Sequence, residues 1–338
     1  MSDTDTTEQV FPLAGIEVDS LLAFLALLGL LRSLEFSRPR WRPRASWTGP
    51  PWRARLHVAA STNEREIAEA ASAGVEAIAS HYDADGRANV AFDIPGFRRY
   101  ASRAVHGRQD GIGVALASAL TAEWPEKRSG GLPAGPLVML FGQGHQNFLD
   151  RLLAVPRGEL PRRLLKLKCP PDMRDPGKIA EALFEPWRRT DDADAFRWDP
   201  EEDQRYALRF DDPSSAGAAP TVVGANRLAA VGFLSYPCFP ATHRATTAGV
   251  DREIGQVSFV WPVWTVPLGR QGIERFLSHP ALPVGSDDEL RPLGVSAVYR
   301  ARRVSNGKFM NVARASPISS LQTVRAQRRA GRPRRSSR

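Results

Sequence analysis

Arginine and tryptophan alternate closely between residues 38 and 55, in the stretch RPRWRPRASWTGPPWRAR. Guanidinium groups bind phosphates in a bidentate way, and indole rings stack on unpaired bases. This composition therefore predicts a surface that binds nucleic acid. The alternative is that the tryptophans pack inward and the arginines are only solvated. The candidate contacts in this stretch are Arg40, Trp41, Arg42, Arg44, Trp52 and Arg53.

A second basic element is a predicted β-hairpin late in the sequence. Residues 295–304 alternate between apolar and polar, and the Asn306-Gly307 pair that follows is a strong short-range signal for a hairpin turn. A basic two-stranded ribbon can follow a nucleic-acid backbone or enter a groove, but basic side chains on edge strands also serve to prevent aggregation. The candidate contacts in the hairpin are Arg300, Arg302, Arg303 and Lys308.

A polar glycine turn follows a predicted buried strand at residues 136–141 and precedes a predicted helix. Gly142 and Gly144 are similar to the start of a dinucleotide-binding turn, in which backbone amides face a phosphate. The third glycine of that motif is absent because Asn147 holds its place, so a nucleotide-binding enzyme is kept as an alternative. We favour a tight turn whose polar side chains contact a phosphate or a sugar. The candidate contacts in the turn are Gln143 and His145.

The sequence contains no recognisable catalytic or metal-binding motif. Its six histidines are scattered, without an HExxH motif or a second histidine at metal-ligand spacing. Two cysteines cannot form a structural zinc site, and neither a nucleophile elbow nor a Walker loop occurs. The acidic run at residues 191–203 fits no calcium loop, and we expect a solvated loop there. A third hypothesis is that the chain is a protein-protein adaptor whose acidic loop at residues 185–212 docks on a basic partner. We predict no enzymatic activity, no cofactor and no metal.

The net charge of +9 belongs mostly to residues 325–338. That segment holds seven arginines and no acid, and without it 39 basic residues face 37 acidic ones. Such a tail is typical of a non-specific nucleic-acid arm or a solubilising end. The longest apolar run, residues 21–31, is too short to cross a bilayer, and the acidic leader is unlike a signal peptide. We therefore predict a cytoplasmic protein without membrane contact.

The element pattern predicts an α+β fold with two lobes, built from mixed helices and antiparallel sheet. Residues 21–34 predict a buried helix capped by Asp19, residues 221–233 predict a second helix, and residues 88–94 alternate like a strand. The predicted units are an N-terminal α/β lobe (1–155), a charged connector with the acidic loop (156–220), a C-terminal α+β lobe (221–318) and a disordered arginine-rich tail (319–338).

Several segments of the chain contain distinctive sequence motifs, which occur in the following order. These segments are residues 12–35, with the helical motif LAFLALLGLLR; residues 140–152; residues 196–213, with the motif WDPEEDQRYALR; residues 221–240, with the motif GANRLA; and residues 259–268. Together these segments resemble a family of CRISPR-associated proteins from type I-G loci, also called type I-U. The arginine tail is not part of that family pattern.

The resemblance implies a non-catalytic subunit or accessory of an RNA-guided interference complex. Its implied partners are crRNA or target DNA and the other effector subunits. Some similar proteins are described as an extension of the helicase-nuclease, but this chain lacks a paired His-Asp metal motif and a helicase phosphate loop, so neither activity is implied. Arg227, in the GANRLA motif, is a further candidate contact to nucleic acid, and a local structural role is the alternative.

Overall fold

A computed structural model of the chain describes residues 8–107, 111–124, 130–139, 147–162, 171–202, 220–241, 245–253, 256–306 and 309–318. Within these ranges helices and antiparallel sheets both contribute to one structure. The predicted α+β class is therefore confirmed.

The first two helices are the longest of the described elements of their kind. The α-helices are α1 (Leu21–Ser37), α2 (Glu64–Ala79), α3 (Ile94–His106), α4 (Ile112–Leu120), α5 (Phe148–Ala154), α6 (Pro176–Phe184), α7 (Val223–Gly232), α8 (Arg270–Leu277) and α9 (Asp287–Leu290). Short 3-10 turns lie at Pro39–Trp41, Val155–Arg157, Pro171–Arg174, Phe233–Ser235 and Arg291–Leu293.

Helix α1 is buried on nearly every side, as its sequence predicts. Every residue from Leu21 to Leu31 is buried, because an all-round apolar helix is stable only inside a core. The N-cap is Ser20 rather than the predicted Asp19, and its hydroxyl oxygen accepts a 3.3 Å hydrogen bond from the amide of Ala23. Asp19 instead pairs with Arg314 at 3.0 Å.

Glycines allow α1 to approach its neighbouring helices to backbone contact. A Cβ atom on Gly29 would lie 1.8 Å from the carbonyl oxygen of Leu228 in α7. On α2, a Cβ atom on Gly74 would lie 2.2 Å from the carbonyl oxygen of Ser33 in α1. Real atoms do not pack this closely, so any side chain at these positions would push the helices apart.

Two antiparallel sheets pack with the helices. The first has the order β1-β3-β2 and consists of β1 (Gln9–Leu13), β2 (Arg44–Thr48) and β3 (Arg53–Val58). The remaining strands are β4 (Asp191–Asp192), β5 (Pro220–Thr221), β6 (Cys238–Pro240), β7 (Ala245–Thr247), β8 (Val250–Glu253), β9 (Gln256–Trp264), β10 (Val295–Asn306), β11 (Phe309–Val312) and β12 (Ser316–Pro317). The second sheet has the order β11-β10-β9-β8, and β12 also pairs with β10. Strand β4 pairs with β5, and β6 pairs with β7.

The predicted C-terminal hairpin is confirmed by the pairing of β10 with β11. Strand β9 continues through Pro262 because β8 pairs with it only as far as Phe259, so the missing N–H of the proline breaks no bond on that side. The two sheets are joined where Ala45 and Leu268 exchange backbone hydrogen bonds of 2.8 and 2.9 Å.

Two strand predictions are wrong. Residues 88–93 form a loop in which Phe92 is buried and Asp93 makes one isolated β-bridge, to Gly131. Helix α3 starts at Ile94, and its N-cap Asp93 accepts a 2.9 Å hydrogen bond from the amide of Gly96. Residues 136–139, the described part of the predicted strand at 136–141, form a turn and a loop. In both places the apolar residues are buried without pairing as a strand, and a run of apolar residues alone does not distinguish these two situations.

The predicted lobes share their interior. Among the described residues, one continuous cluster of buried apolar side chains extends from Leu13 to Ala315. Helix α1 of the predicted N-terminal lobe packs along α7 of the predicted C-terminal lobe. The boundaries near residues 155 and 221 therefore do not separate two hydrophobic cores.

Candidate nucleic-acid interface

The outward face of the first sheet displays arginines at alternate positions. Successive side chains of a strand point to opposite faces, so Arg53 and Arg55 are exposed while Ala54 and Leu56 of the same strand are buried. Arg44, at the start of β2, is exposed on the same side. The sequence candidates omitted Arg55, although it belongs to the same arginine-tryptophan stretch.

The strand register places these arginines close to one another. Arg44 lies opposite His57, and Ser46 lies opposite Arg55. Arg44 and Arg55 are therefore diagonal neighbours on the same face, a relation that separates Cα atoms by roughly 7–8 Å. Long side chains at such diagonal positions are within reach of a common ligand.

The 3-10 turn at Pro39–Trp41 brings two further arginines to the end of the first sheet where Arg44 lies. The carbonyl oxygen of Trp41 accepts a 2.8 Å hydrogen bond from the amide of Ala59, just beyond β3. Arg40 and Arg42 are both exposed on the turn, and Arg42 holds a left-handed backbone conformation with φ of 47°. We call Arg40, Arg42, Arg44, Arg53 and Arg55 together the arginine face.

The arginine face carries an excess of positive charge. Arg44 forms an ion pair with Glu8. In the part of the chain that the structure describes, the other four arginines form no ion pair. Unpaired exposed guanidinium groups keep all their donors available to an anionic ligand.

The tryptophans of this stretch do not form the exposed stacking surface that its composition suggested. Trp47 is fully buried and packs edge-on against Trp264, with ring centroids 6.3 Å apart. Trp41 and Trp52 are half-buried and pack against the core, and the guanidinium of Arg38 lies 6.0 Å from the Trp41 ring. The surface is therefore mainly guanidinium, which suits phosphate better than bases.

A buried polar pair lies among these arginines. The hydroxyl oxygen of Ser46 and Nε2 of His57 are 2.8 Å apart, and burial lowers the pKa of His57, against the opposing effect of Glu8. The nearest Glu8 oxygen is 3.7 Å from Nδ1, beyond hydrogen-bond distance, and Ser46 is only 3% exposed. This geometry is that of a structural pair and not of an activated nucleophile.

The arginines of β10 do not form one basic ribbon, because strand alternation divides them between faces. Arg300 pairs with Asp251 at 3.0 Å and donates to the carbonyl oxygen of Pro283. Arg303 points to the other face, where its Nη1 donates a 3.4 Å hydrogen bond to the carbonyl oxygen of Pro136. Burial lowers the pKa of Arg303. Of the three predicted contacts on β10, only Arg302 is exposed.

Arg302 also lies far from the arginine face. It pairs across the sheet with Ser258, whereas Trp264, six residues further along β9, lies beside Ala45 of β2. A strand rises by roughly 3.3 Å per residue, so about 20 Å separates the two places. The structure does not bring the two predicted basic elements together.

Arg227 lies in the core, and the prediction that it contacts nucleic acid is wrong. Its side chain is 0% exposed. Its guanidinium donates to the carbonyl oxygens of Pro156 at 3.1 Å and Arg174 at 3.2 Å, to the Ser72 hydroxyl at 2.9 Å and to Glu76 at 3.1 Å. The geometry of Arg227 therefore supports the alternative, a local structural role.

Three acids in the described part of the 191–203 run lie in the interior instead of in a solvated loop, whereas Asp192 is exposed. Asp194 pairs with Arg151 at 3.0 Å, and Asp199, which is 0% exposed, pairs with Arg189 at 2.8 Å. Burial and the charge of Asp199 raise the pKa of Glu202 to about 8. Carboxylates used in this way cannot dock a basic partner, which weakens the adaptor hypothesis.

Some predicted features lie outside the described residues. These are Gln143, His145 and Lys308, the Gly142–Gly144 turn and the arginine-rich tail. Among the residues that are described, no group of three or more His, Cys, Asp or Glu side chains could hold a metal ion. No described helix is long and apolar enough to cross a membrane.

Comparison of this chain with protein-family models, with curated proteins and with solved structures found no match.

Proposed function

We propose that this chain is a non-catalytic nucleic-acid-binding protein and that its arginine face binds the sugar-phosphate backbone. The observation that supports the proposal is that Arg53 and Arg55 occupy alternate exposed positions of β3 and form no ion pair among the described residues. Arg40 and Arg42, at the far end of that strand, are likewise exposed and without an ion pair there. Guanidinium groups recognise phosphate by charge and by paired hydrogen bonds, independently of the base.

The spacing of the arginines suits a backbone ligand. Alternate residues on a strand are roughly 7 Å apart, so Arg53 and Arg55 are close enough to contact neighbouring phosphates of one strand. The half-buried Trp41 and Trp52 leave few groups to read bases, so the expected binding is independent of sequence.

The resemblance of several segments to type I-G CRISPR-associated proteins supplies the proposed setting. In RNA-guided complexes, base pairing with the guide reads the sequence, and protein subunits hold backbones and displaced strands. A face that recognises phosphates and no bases performs that task. We therefore propose crRNA or target DNA as the ligand and an interference complex as the assembly in which the chain acts.

Fluorescence anisotropy with labelled single-stranded RNA and DNA tests the proposal. The full chain is compared with the double variant Arg53→Gln/Arg55→Gln and with a control of equal charge, Arg98→Gln/Arg99→Gln, which changes two exposed arginines on α3. Loss of two phosphate contacts should lower the salt slope of log K by about 1.4 and weaken binding at least tenfold at low salt, on the order expected for single strands. Equal affinities of the two double variants would overturn the proposal.

A further inference from the structure

A cavity of about 290 Å³ lies away from the arginine face, between α3, α4 and the loop after α2. Tyr100 and Arg103 line it from one face of α3, because residues three apart on a helix point the same way. His81 and Asp83 line it from the loop, and Gly113 in the first turn of α4 lines the opposite wall.

The loop holds Asp83 in a fixed position. One carboxylate oxygen accepts a 2.8 Å hydrogen bond from the amide of Asp85, and the backbone carbonyl oxygen of Asp83 accepts a 2.9 Å hydrogen bond from the hydroxyl of Tyr100. The second carboxylate oxygen has no hydrogen-bond partner among the described residues. The cavity therefore presents a fixed acceptor to a ligand with N–H donors.

Positive groups lie around the same cavity. Arg103 pairs with Asp85 and is still half-exposed, so several of its five N–H donors remain available. Gly111 supplies no side-chain cap to α4, and the amides of the first turn of that helix favour an anion. A phosphate at this end would lie between the guanidinium and the helix terminus.

Aromatic rings supply the remaining wall. The His81 ring stands at 85° to the ring of Phe36, with centroids 6.0 Å apart, and this contact fixes its orientation. Tyr100 is almost completely buried. The volume of the cavity is at the small end of the range for ligand pockets, roughly 300–1,000 Å³, which fits one nucleotide better than a dinucleotide.

We propose that this cavity binds a guanosine monophosphate unit, with the base on Asp83 and the phosphate on Arg103. Guanine alone among the four bases presents two adjacent N–H donors on its Watson–Crick edge. The unpartnered carboxylate oxygen of Asp83 would accept one of them, and the remaining lone pair of the oxygen that bonds to the Asp85 amide would accept the other. Adenine and cytosine present an acceptor beside the amino group, and uracil places a carbonyl on each side of its N–H. A carboxylate repels these acceptors, so specificity follows from the mismatch. This site is separate from the arginine face and does not depend on the function proposed for it.

Isothermal titration calorimetry of the full chain with GMP, AMP, CMP, UMP, guanosine and inorganic phosphate tests the assignment. A 5′-phosphorylated oligonucleotide that begins with guanosine distinguishes a strand end from the free nucleotide. The variants are Asp83→Asn and Arg103→Gln, both at exposed positions, with Arg99→Gln as an exposed control on the same helix. Circular dichroism of each variant checks that it is folded.

The expected result is that GMP or the guanosine-ended strand binds at least tenfold more tightly than its adenosine counterpart. Asp83→Asn should remove that preference, Arg103→Gln should reduce GMP to the affinity of guanosine, and Arg99→Gln should change neither. The proposal is overturned if no nucleotide binds at millimolar concentration, if bases bind equally, or if both cavity variants bind like the wild type. None of these outcomes alters the result of the Arg53 and Arg55 experiment, so the two proposals fail independently.

Discussion

Nε2 of His57 lies 2.8 Å from the hydroxyl oxygen of Ser46, and both buried side chains occupy positions directly across the strands from exposed arginines. Burial lowers the pKa of His57, so the imidazole is neutral at neutral pH. The centre of the arginine face therefore consists of a neutral hydrogen-bonded pair, and its positive charge comes from the arginines alone.

Replacement of His57 by glutamine tests this account of the pair. A histidine whose pKa is lower in the folded state than the ordinary value of about 6.5 destabilises the fold as the pH falls below that value. The free energy of unfolding of the wild type should therefore decrease between pH 7 and pH 5 by more than that of His57→Gln. Urea unfolding of both proteins at several pH values measures the difference, and parallel pH profiles would contradict the assignment.

Substitutions of Glu8, Arg44 and Arg55 test the role of Arg44 within the arginine face. Because Glu8 pairs with Arg44 and Arg55 has no such partner among the described residues, Arg55→Gln should weaken nucleic-acid binding several-fold more than Arg44→Gln. Glu8→Gln releases Arg44 and should strengthen binding by roughly two- to fivefold, in line with the small energies of exposed ion pairs. Anisotropy titrations at low salt compare the three variants, and a weaker Glu8→Gln complex would exclude this role of the pair.

The sequence predicted the elements that have local signals. An all-round apolar run predicted the buried helix α1, and alternation followed by Asn306-Gly307 predicted the hairpin of β10 and β11. These patterns are sufficient because the signal lies within the element itself. The apolar residues near Phe92 and at 136–139 are buried without strand pairing, which no local pattern distinguishes from a strand.

The candidate site was predicted only in part, because burial of a charged side chain depends on residues distant in sequence. The local sequence around Arg227 does not show that Pro156 and Ser72 accept its hydrogen bonds. In the same way, the local sequence around Asp199 does not show that this residue pairs with Arg189. Arg44 and Arg53, by contrast, were proposed from the composition of their stretch, and the structure places both at the surface.

Gly29→Ala tests the close contact between α1 and α7. The new methyl group would lie 1.8 Å from the carbonyl oxygen of Leu228, so the helices must separate, at a cost of about 3 kcal/mol of unfolding free energy. Gly272→Ala is the matched control, since its Cβ meets no atom closer than 3.7 Å in α8. The control should gain about 0.5–1 kcal/mol from helix propensity. Equal stabilities of the two variants by urea unfolding would show that α1 and α7 are not in backbone contact.

Arg227→Met tests the structural role of this buried residue. The substitution leaves the carbonyl oxygens of Pro156 and Arg174 and the hydroxyl of Ser72 without their donor, which should cost about 3 kcal/mol. Glu76→Gln, at a half-exposed partner, should cost less than about 1 kcal/mol. Nucleic-acid affinity per folded molecule should be unchanged in both variants. A stable Arg227→Met protein with weakened binding would restore Arg227 as a contact.

Glu202→Gln tests the buried acid beside Thr221. The folded-state pKa of Glu202 is raised to about 8, so the unfolded chain releases this proton at lower pH than the folded protein does. The wild type therefore loses stability as the pH rises from about 4.3, the ordinary pKa of glutamate, toward 8.

The glutamine side chain of the variant cannot ionise and keeps an acceptor for the Thr221 hydroxyl, which donates to Glu202 at 2.9 Å in the wild type. The variant should gain on the order of 2–4 kcal/mol relative to wild type between pH 5 and pH 8, since one pKa unit is worth about 1.4 kcal/mol. Thermal unfolding across that range measures the gain, and a constant difference between the two proteins would show that Glu202 is ionised in the folded state.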